Sequence, residues 1–231
     1  MKGAVAAGHP LTARAGARVL EQGGNAVDAC VAAAFAGAVC ESFLTSPAAG
    51  GFMLVHARGR PARVADFFVA APGIGLHRRR GGAMHEIDVG FGGDSRTTQP
   101  FLIGPASVAV PGAVAGLEAA HRAYGRLPWP ELLVPAIALA RGGVELTRAQ
   151  AHIHAILDPI IRHSAEARRI YSSPGGSRLV AGDTLRLPDL AGTFELIARR
   201  GARAGRAAPR RALRAGGRAR RRRRARGPAR A

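Results

Sequence analysis

The most constraining feature of this sequence is a run of fifteen small, nearly uncharged residues, AVDACVAAAFAGAVC, from Ala26 to Cys40. Gly23 and Gly24 precede it and supply a left-handed stop for the segment before them. Asn25 is a good helix N-cap, and Asp28 follows at the third helical position, near the positive end of the helix dipole. Because the predicted helix is apolar nearly all round, it must be buried on several sides. We therefore expect an interior helix, packed against a sheet in a layered α/β protein.

Residue periodicity predicts further helices and strands along the first 198 residues. Amphipathic or capped segments indicate helices at 11–22, 113–125, 130–141, 147–157 and 188–198. Pro159 is expected to interrupt the helix that begins at 147, and helix is expected to resume towards Tyr171. Residues 3–10 indicate a short strand and turn, 52–56 with 63–68 a β-hairpin, and 101–112 a strand followed by a turn or second strand. The glycine-rich stretch 73–98 lacks periodicity and predicts a mobile surface loop.

The positive charge is concentrated at the C-terminal end of the chain. The formal net charge is +19, but residues 199–231 hold fifteen Arg and no acidic residue, so the first 198 residues carry only +4. This composition cannot bury a core and predicts a disordered tail. We thus expect a folded domain at 1–198 and a tail at 199–231. The Arg220–Arg224 run is expected to bind polyanions without specificity, because no aromatic residue is interleaved for base stacking.

Cysteine, hydropathy and histidine patterns predict no cofactor, no metal and no membrane span. In one helix Cys30 and Cys40 lie roughly 15 Å apart, too far for a disulfide, so we expect buried free thiols. The N-terminal residues contain no apolar signal-peptide core, and the 26–40 run is too short to span a bilayer, which predicts a soluble, cytoplasmic chain as given. The histidines His152, His154 and His163 are expected to be scattered over the surface, since positions i and i+2 of a helix face apart.

Several sequence runs resemble, in order, the large subunit of the gamma-glutamyltransferase (gamma-glutamyltranspeptidase) family. The runs span about residues 6 to 198 with gaps, and they read AAGHPLTARAGARVLEQGGNAVDACVAAAFA, GGFMLVHARG, DFFVAAPG, VAVPGAVAGLEAAHRAYGRLPWPELLVPAIALARGGVELT and AGDTLRLPDLAGTFELIA. The resemblance implies part of a four-layer αββα sandwich of the N-terminal-nucleophile hydrolase type. It further implies a proenzyme that cleaves itself, so that a Thr at the new N-terminus of a small subunit becomes the nucleophile for gamma-glutamyl transfer or hydrolysis.

The sequence departs from this family in three places. None of the fifteen Thr and Ser of the first 198 residues stands in the context of the family's nucleophile, so no catalytic residue is carried over and the chain alone is expected to be inactive. Phe68 occupies the position of the Arg that binds the donor's α-carboxylate, and Val69 replaces the Glu that follows it. A Phe cannot pair with a carboxylate, which indicates a different acyl or amide donor. The Arg-rich tail is expected to result from a shifted reading frame that truncates the protein.

The remaining candidate residues are mostly expected to be structural. Gly50 and Gly51 match the glycines that precede a strand near the family's active site, where absent side chains let other backbone approach, and they are the candidate substrate-binding glycines. The segment 172–178, SSPGGSR, resembles an oxyanion motif of the small subunit but is expected to form an ordinary turn here. Two alternatives stay open. The chain could be a small α/β domain whose basic tail binds nucleic acid or acidic partners, or a half-enzyme that complements a separately encoded small subunit.

Overall fold

The computed structural model describes residues 3–74, 82–91 and 97–204, which form a mixed, helix-rich α/β structure. Its helices are α1 Pro10–Glu21, α2 Ala26–Cys40, α3 Ala113–Tyr124, α4 Trp129–Gly142, α5 Arg148–Ile161, α6 Ala165–Ile170 and α7 Pro188–Arg200. Its strands are β1 Phe52–Val55, β2 Arg63–Asp66, β3 His85–Gly90, β4 Thr98–Ile103, β5 Val144–Glu145 and β6 Thr184–Leu185. The predicted fold class and the bounds of the Ala-rich helix are confirmed.

The core forms where α1, α4 and α7 gather around the Ala-rich helix α2. Phe35 of α2 is buried, and its ring meets the rings of Phe194 and Trp129 edge-on, with centroids 5.4 and 5.7 Å away. Ala32 and Ala36 have no exposed surface, because neighbouring helices approach their methyl groups directly. The main neighbours of α2 are the helices α1 and α4. We expected α2 to pack chiefly on a sheet, but among the described residues it packs mainly on helices.

Helix α2 begins at a capping box that also fastens the turn between α3 and α4. The Asn25 side chain accepts hydrogen bonds from the N–H groups of Val27 and Asp28, and the Asp28 carboxylate accepts one from the N–H of Asn25 at 2.9 Å. The same buried carboxylate accepts hydrogen bonds from the N–H groups of Arg126 and Leu127, at 3.0 and 3.3 Å. The predicted cap is confirmed, and Asp28 has an additional long-range role.

The strands form three antiparallel two-stranded sheets among the described residues. Strands β1 and β2 pair as the predicted hairpin, with Phe52 opposite Asp66, and β5 pairs with β6. Strand β3 lies inside the stretch predicted as a mobile loop and pairs with β4 along its full length. Ile87 and Val89 alternate with exposed residues and give the strand one partly buried face. This alternation was not recognised because the stretch is rich in glycine. The rest of that stretch, at 75–81 and 92–96, lies outside the described residues.

Three further expectations about local structure are corrected. Residues 3–7 form no strand, and the first helix already begins at Pro10. Helix α5 runs through Pro159 to Ile161, where the exposed proline costs the helix one N–H donor without ending it, and the break comes at Ser164, which caps α6. Helix α7 continues to Arg200, past the expected domain boundary at 198. Disorder was predicted for residues 199–231, but residues 199–204 are helical, since α7 is followed by a short 3-10 helix at Gly201–Ala204. Residues 205–231 lie outside the described residues.

Candidate functional site

Gly50 and Gly51 lie where the chain enters β1, in close contact with the end of β2. A Cβ atom built on Gly50 would lie 2.5 Å from the backbone nitrogen of Val69, a separation that no real side chain occupies. Gly51 and Phe67 exchange backbone hydrogen bonds, the shorter of which is 3.0 Å long. The absent side chains therefore let two backbone segments meet, as the sequence predicted, and the contact fixes the position of residue 68.

A largely apolar groove of about 410 Å³ opens beside these glycines. It lies between α2, the start of β1 and α3, and its lining includes Cys30, Ala34, Gly50, Gly51, Phe52 and Leu117. Small residues on the exposed side of α2 leave this space open, because their side chains are too short to reach the hairpin. The volume is within the range of small-molecule sites.

Phe68 lies at the edge of this groove rather than in its lining. Its side chain is 55% exposed and stacks on the ring of Phe52, which does line the groove, with centroids 5.5 Å apart and planes 10° apart. The Phe68 N–H donates a hydrogen bond of 3.0 Å to the Asp66 carboxylate. Such an aromatic pair can bind a planar apolar group. It cannot form an ion pair with a donor carboxylate, because neither ring carries a positive charge.

Sequence reasoning missed Phe52, although the hairpin register contains the signal for it. Phe52 is opposite Asp66, so Phe68 occupies the diagonal position two residues further along the same face. Diagonal neighbours on one face of an antiparallel pair are within reach of each other when they are aromatic. Without an established register, the sequence could not pair these two residues.

The cysteine closest to the groove is a protonated thiol at neutral pH. Cys30 lines the groove and is exposed, so the expectation that both thiols are buried is wrong for this residue. Its position follows from α2 geometry, since Ala26, Cys30 and Ala34 fall on the side of the helix that the described residues leave exposed. Partial burial raises the pKa of the Cys30 thiol, and burial raises the pKa of Cys40 to about 11. Neither thiol is therefore activated as a nucleophile.

Two of the predicted surface histidines are exposed and the third is buried. His152 and His163 are exposed, but His154 has no exposed surface and stacks on Phe43 with ring centroids 4.7 Å apart. Burial lowers the pKa of His154 to about 4, an effect that the nearby Asp158 carboxylate only partly opposes. In the described part of the chain, no three His, Cys, Asp or Glu side chains converge in a way that could hold a metal ion.

The segment SSPGGSR forms the ordinary turn that the sequence predicted. Ser172 bridges to Arg178 across it, the N–H of Gly176 donates to the Ser173 carbonyl, and Gly176 has a positive φ of 82°. Arg162 donates hydrogen bonds to the Ser172 hydroxyl and the Gly176 carbonyl. The turn is held from the side of α5. It does not line the groove beside Gly50.

Comparison with known proteins places the chain in a family. The sequence model described as Gamma-glutamyltranspeptidase matches residues 12–205. Glutathione hydrolase proenzyme 2 of Schizosaccharomyces pombe is 34% identical over 209 residues, covering 87% of this chain and 30% of the relative. Acylase ACY 1 proenzyme of Pseudomonas sp. is 36% identical over 206 residues, covering 87% of this chain and 35% of the relative.

The structure agrees with the sequence comparison. Gamma-glutamyltranspeptidase of Helicobacter pylori superposes with a TM-score of 0.72 at 28% identity, covering 88% of this chain and 56% of that chain. The present chain spans about a third of the length of the curated relatives. None of the helices in the described ranges is long and apolar enough to cross a membrane. The match over residues 12–205 shows that this chain belongs to the gamma-glutamyltranspeptidase family.

Proposed function

We propose that this chain is the donor-binding part of a gamma-glutamyltranspeptidase-like acyltransferase or amidohydrolase. The observation that carries the proposal is the contact of Gly50 with Val69, which joins the glycine segment and residue 68 into one rigid wall beside a groove of about 410 Å³. In the family, the matching segments contribute to the donor pocket. Gly50, Gly51 and Phe68 are thus the proposed substrate-binding residues.

The nucleophile in this proposal comes from a segment that these 231 residues do not include. Thr45 and Ser46 line the groove but stand in no context that matches the family's N-terminal Thr. An N-terminal Thr needs its own free amine as the base, which an internal residue does not have. The chain by itself is then inactive, and a small-subunit segment, joined to it or separate, completes the site.

The exposed face of the β1–β2 hairpin is the proposed contact for that segment. Leu54 and Val64 lie side by side there with 67% and 40% of their surfaces exposed. Both strands also have an unpaired edge within the described sheet, and an open apolar edge favours the addition of further strands. The family's small subunit is the partner that this face would receive.

Co-expression with a Thr-bearing small subunit tests the proposal. The chain is co-expressed with the small subunit of a family member, with that member's own large-subunit segment as the positive control. We expect a co-purifying complex that releases p-nitroaniline from acyl-p-nitroanilides, and no release by the chain alone. Turnover by the chain alone would contradict the proposal, as would failure to associate where the positive control associates.

The Arg-rich residues 199–231 have a separate proposed property. Their fifteen Arg residues bind nucleic acid or other polyanions without sequence preference, through counterion release. Deleting residues 205–231 should abolish retention on heparin at low salt while leaving the folded part soluble. Unchanged retention after the deletion would assign the binding to the folded residues instead.

A further inference from the structure

Two large aromatic rings are exposed to solvent at the open end of the β1–β2 hairpin. Phe52 is 63% exposed and Phe68 is 55% exposed, and the two rings lie nearly parallel with centroids 5.5 Å apart. The aromatic pairs of Phe35, in contrast, are edge-to-face contacts of the core. Leaving a large apolar side chain in water forgoes the free energy that its burial would release. The pair is therefore a prepared apolar surface with no covering group among the described residues.

The backbone holds both rings in fixed positions. Phe52 is paired with Asp66 in the hairpin ladder, and the N–H of Phe68 donates to the carboxylate of that same Asp66 at 3.0 Å. Phe67 points the other way, where its ring lies 3.2 Å from the Cβ position of Gly51. A surface held in place before binding loses little conformational entropy when a ligand arrives.

The charges on the strand that leads to Phe68 disfavour an anionic ligand. Asp66 places a carboxylate directly beside the Phe68 backbone. The nearest cation preceding Phe68 in the sequence is Arg63, five positions earlier, which is about 16 Å away along an extended chain. A donor α-carboxylate at this position would be repelled by Asp66 and would have no cation from this strand to pair with. A neutral aromatic group is not repelled by Asp66 and needs no cation to pair with.

We propose that Phe52 and Phe68 form a stacking subsite for the aromatic acyl group of a neutral amide donor. This inference rests on the proposed function and names its substrate class. The occupant is the ligand rather than the completing segment, because Phe52 and Leu54 both line the groove beside Gly50, whose volume of about 410 Å³ fits a small molecule. Val64, which lies further along the hairpin opposite Leu54, does not line the groove. Stacking between the acyl group and the rings then takes the place of the ion pair that an Arg at position 68 would make.

Direct binding to the full chain tests the subsite without any need for catalysis. Phenylacetamide is the aromatic probe and L-glutamine the charged probe, and both are titrated by ligand-observed NMR. We expect phenylacetamide to bind about tenfold more tightly than L-glutamine, since one good aromatic contact contributes about 0.5–1.5 kcal/mol beyond burial. Phe68→Ala and Phe52→Ala should each weaken phenylacetamide binding about tenfold, and Phe68→Arg should reverse the preference between the probes.

The control is Leu102→Ala, which removes an equally exposed apolar side chain from β4 and should leave both affinities unchanged. Tighter binding of L-glutamine by the unaltered chain would overturn the proposal, as would unchanged phenylacetamide binding in Phe68→Ala or no phenylacetamide binding at its solubility limit. Loss of probe binding on addition of a completing small subunit would also overturn it, because that segment would then cover the rings. Binding that persists when complementation fails supports the subsite and rejects only the proposed function.

Discussion

At the residue scale, the buried carboxylate of Asp28 joins the start of α2 to the turn between α3 and α4. It accepts backbone hydrogen bonds from Asn25, Arg126 and Leu127. Asp28→Ala leaves these N–H groups without their acceptor, so we expect the free energy of unfolding to fall by about 3 kcal/mol. Urea denaturation followed by circular dichroism measures the loss. Asp189→Ala, in the exposed first turn of α7, should cost only about 0.5 kcal/mol, and equal losses would contradict this role for Asp28.

The buried ring of His154 makes the stability of the fold dependent on pH. Both ring nitrogens are buried, and neither has a hydrogen-bond partner in the part of the chain that the structure describes. Burial lowers the pKa of His154 from 6.5 to about 4, opposed by Asp158 and reinforced by Arg178 and Arg162. The unfolded chain therefore binds more protons between these pH values. The contribution of neutral His154 is fully present above pH 6.5, and on the order of 3 kcal/mol is lost as the pH falls to about 4.

The variant His154→Phe keeps an aromatic ring on Phe43 and removes this titration. Its free energy of unfolding, measured by urea denaturation at several pH values, should lose the part of the pH dependence that His154 contributes. The contributions of His9, whose pKa burial lowers, and of Asp158, whose pKa is lowered by its hydrogen bond from Arg162, remain. The matched variant His152→Phe, at an exposed position on the same helix, should retain the full dependence. Identical pH profiles for the two variants would show that His154 is not responsible.

At the element scale, the packing of α3 on the end of β2 depends on Gly116. A methyl group there would overlap the ring of Phe67. Overpacking of this kind costs about 1–3 kcal/mol, so Gly116→Ala should lower the free energy of unfolding by that amount and weaken phenylacetamide binding at the adjacent Phe68. Gly192→Ala in α7 meets no atom within 4 Å and should instead stabilise the chain by about 0.5–1 kcal/mol. Thermal and urea denaturation measure the change in stability of each variant. A change of the same sign in both would contradict the proposed contact between Gly116 and Phe67.

The elements that the sequence predicted best were those with strong local signals. Helix α2 has a cap, a capping-box carboxylate and a preceding glycine with φ of 90°, and its predicted bounds are the observed ones. Strand β3 was missed, and His154 was expected on the surface, because the determinants of both features are not local. A strand among glycines becomes visible only with its partner β4, and the burial of His154 depends on Phe43, more than a hundred residues away.

At the scale of the whole molecule, the candidate site was only partly predictable. Gly50, Gly51 and Phe68 were predicted from motif letters alone, and their role in substrate binding stays a prediction. The stacked partner Phe52 and the groove beside it depend on strand register and helix packing, which arise only when the chain folds. In our proposal the site is also incomplete in these residues, because the nucleophile comes from another segment.

The central claim is that this chain supplies a donor-binding wall but no nucleophile. The most direct test is to measure the intact mass of the purified 231-residue chain together with p-nitroaniline release from gamma-glutamyl-p-nitroanilide and phenylacetyl-p-nitroanilide. We predict an uncut chain and no release from either anilide. Release accompanied by cleavage of the chain would contradict the claim, because a working nucleophile would then lie within these residues.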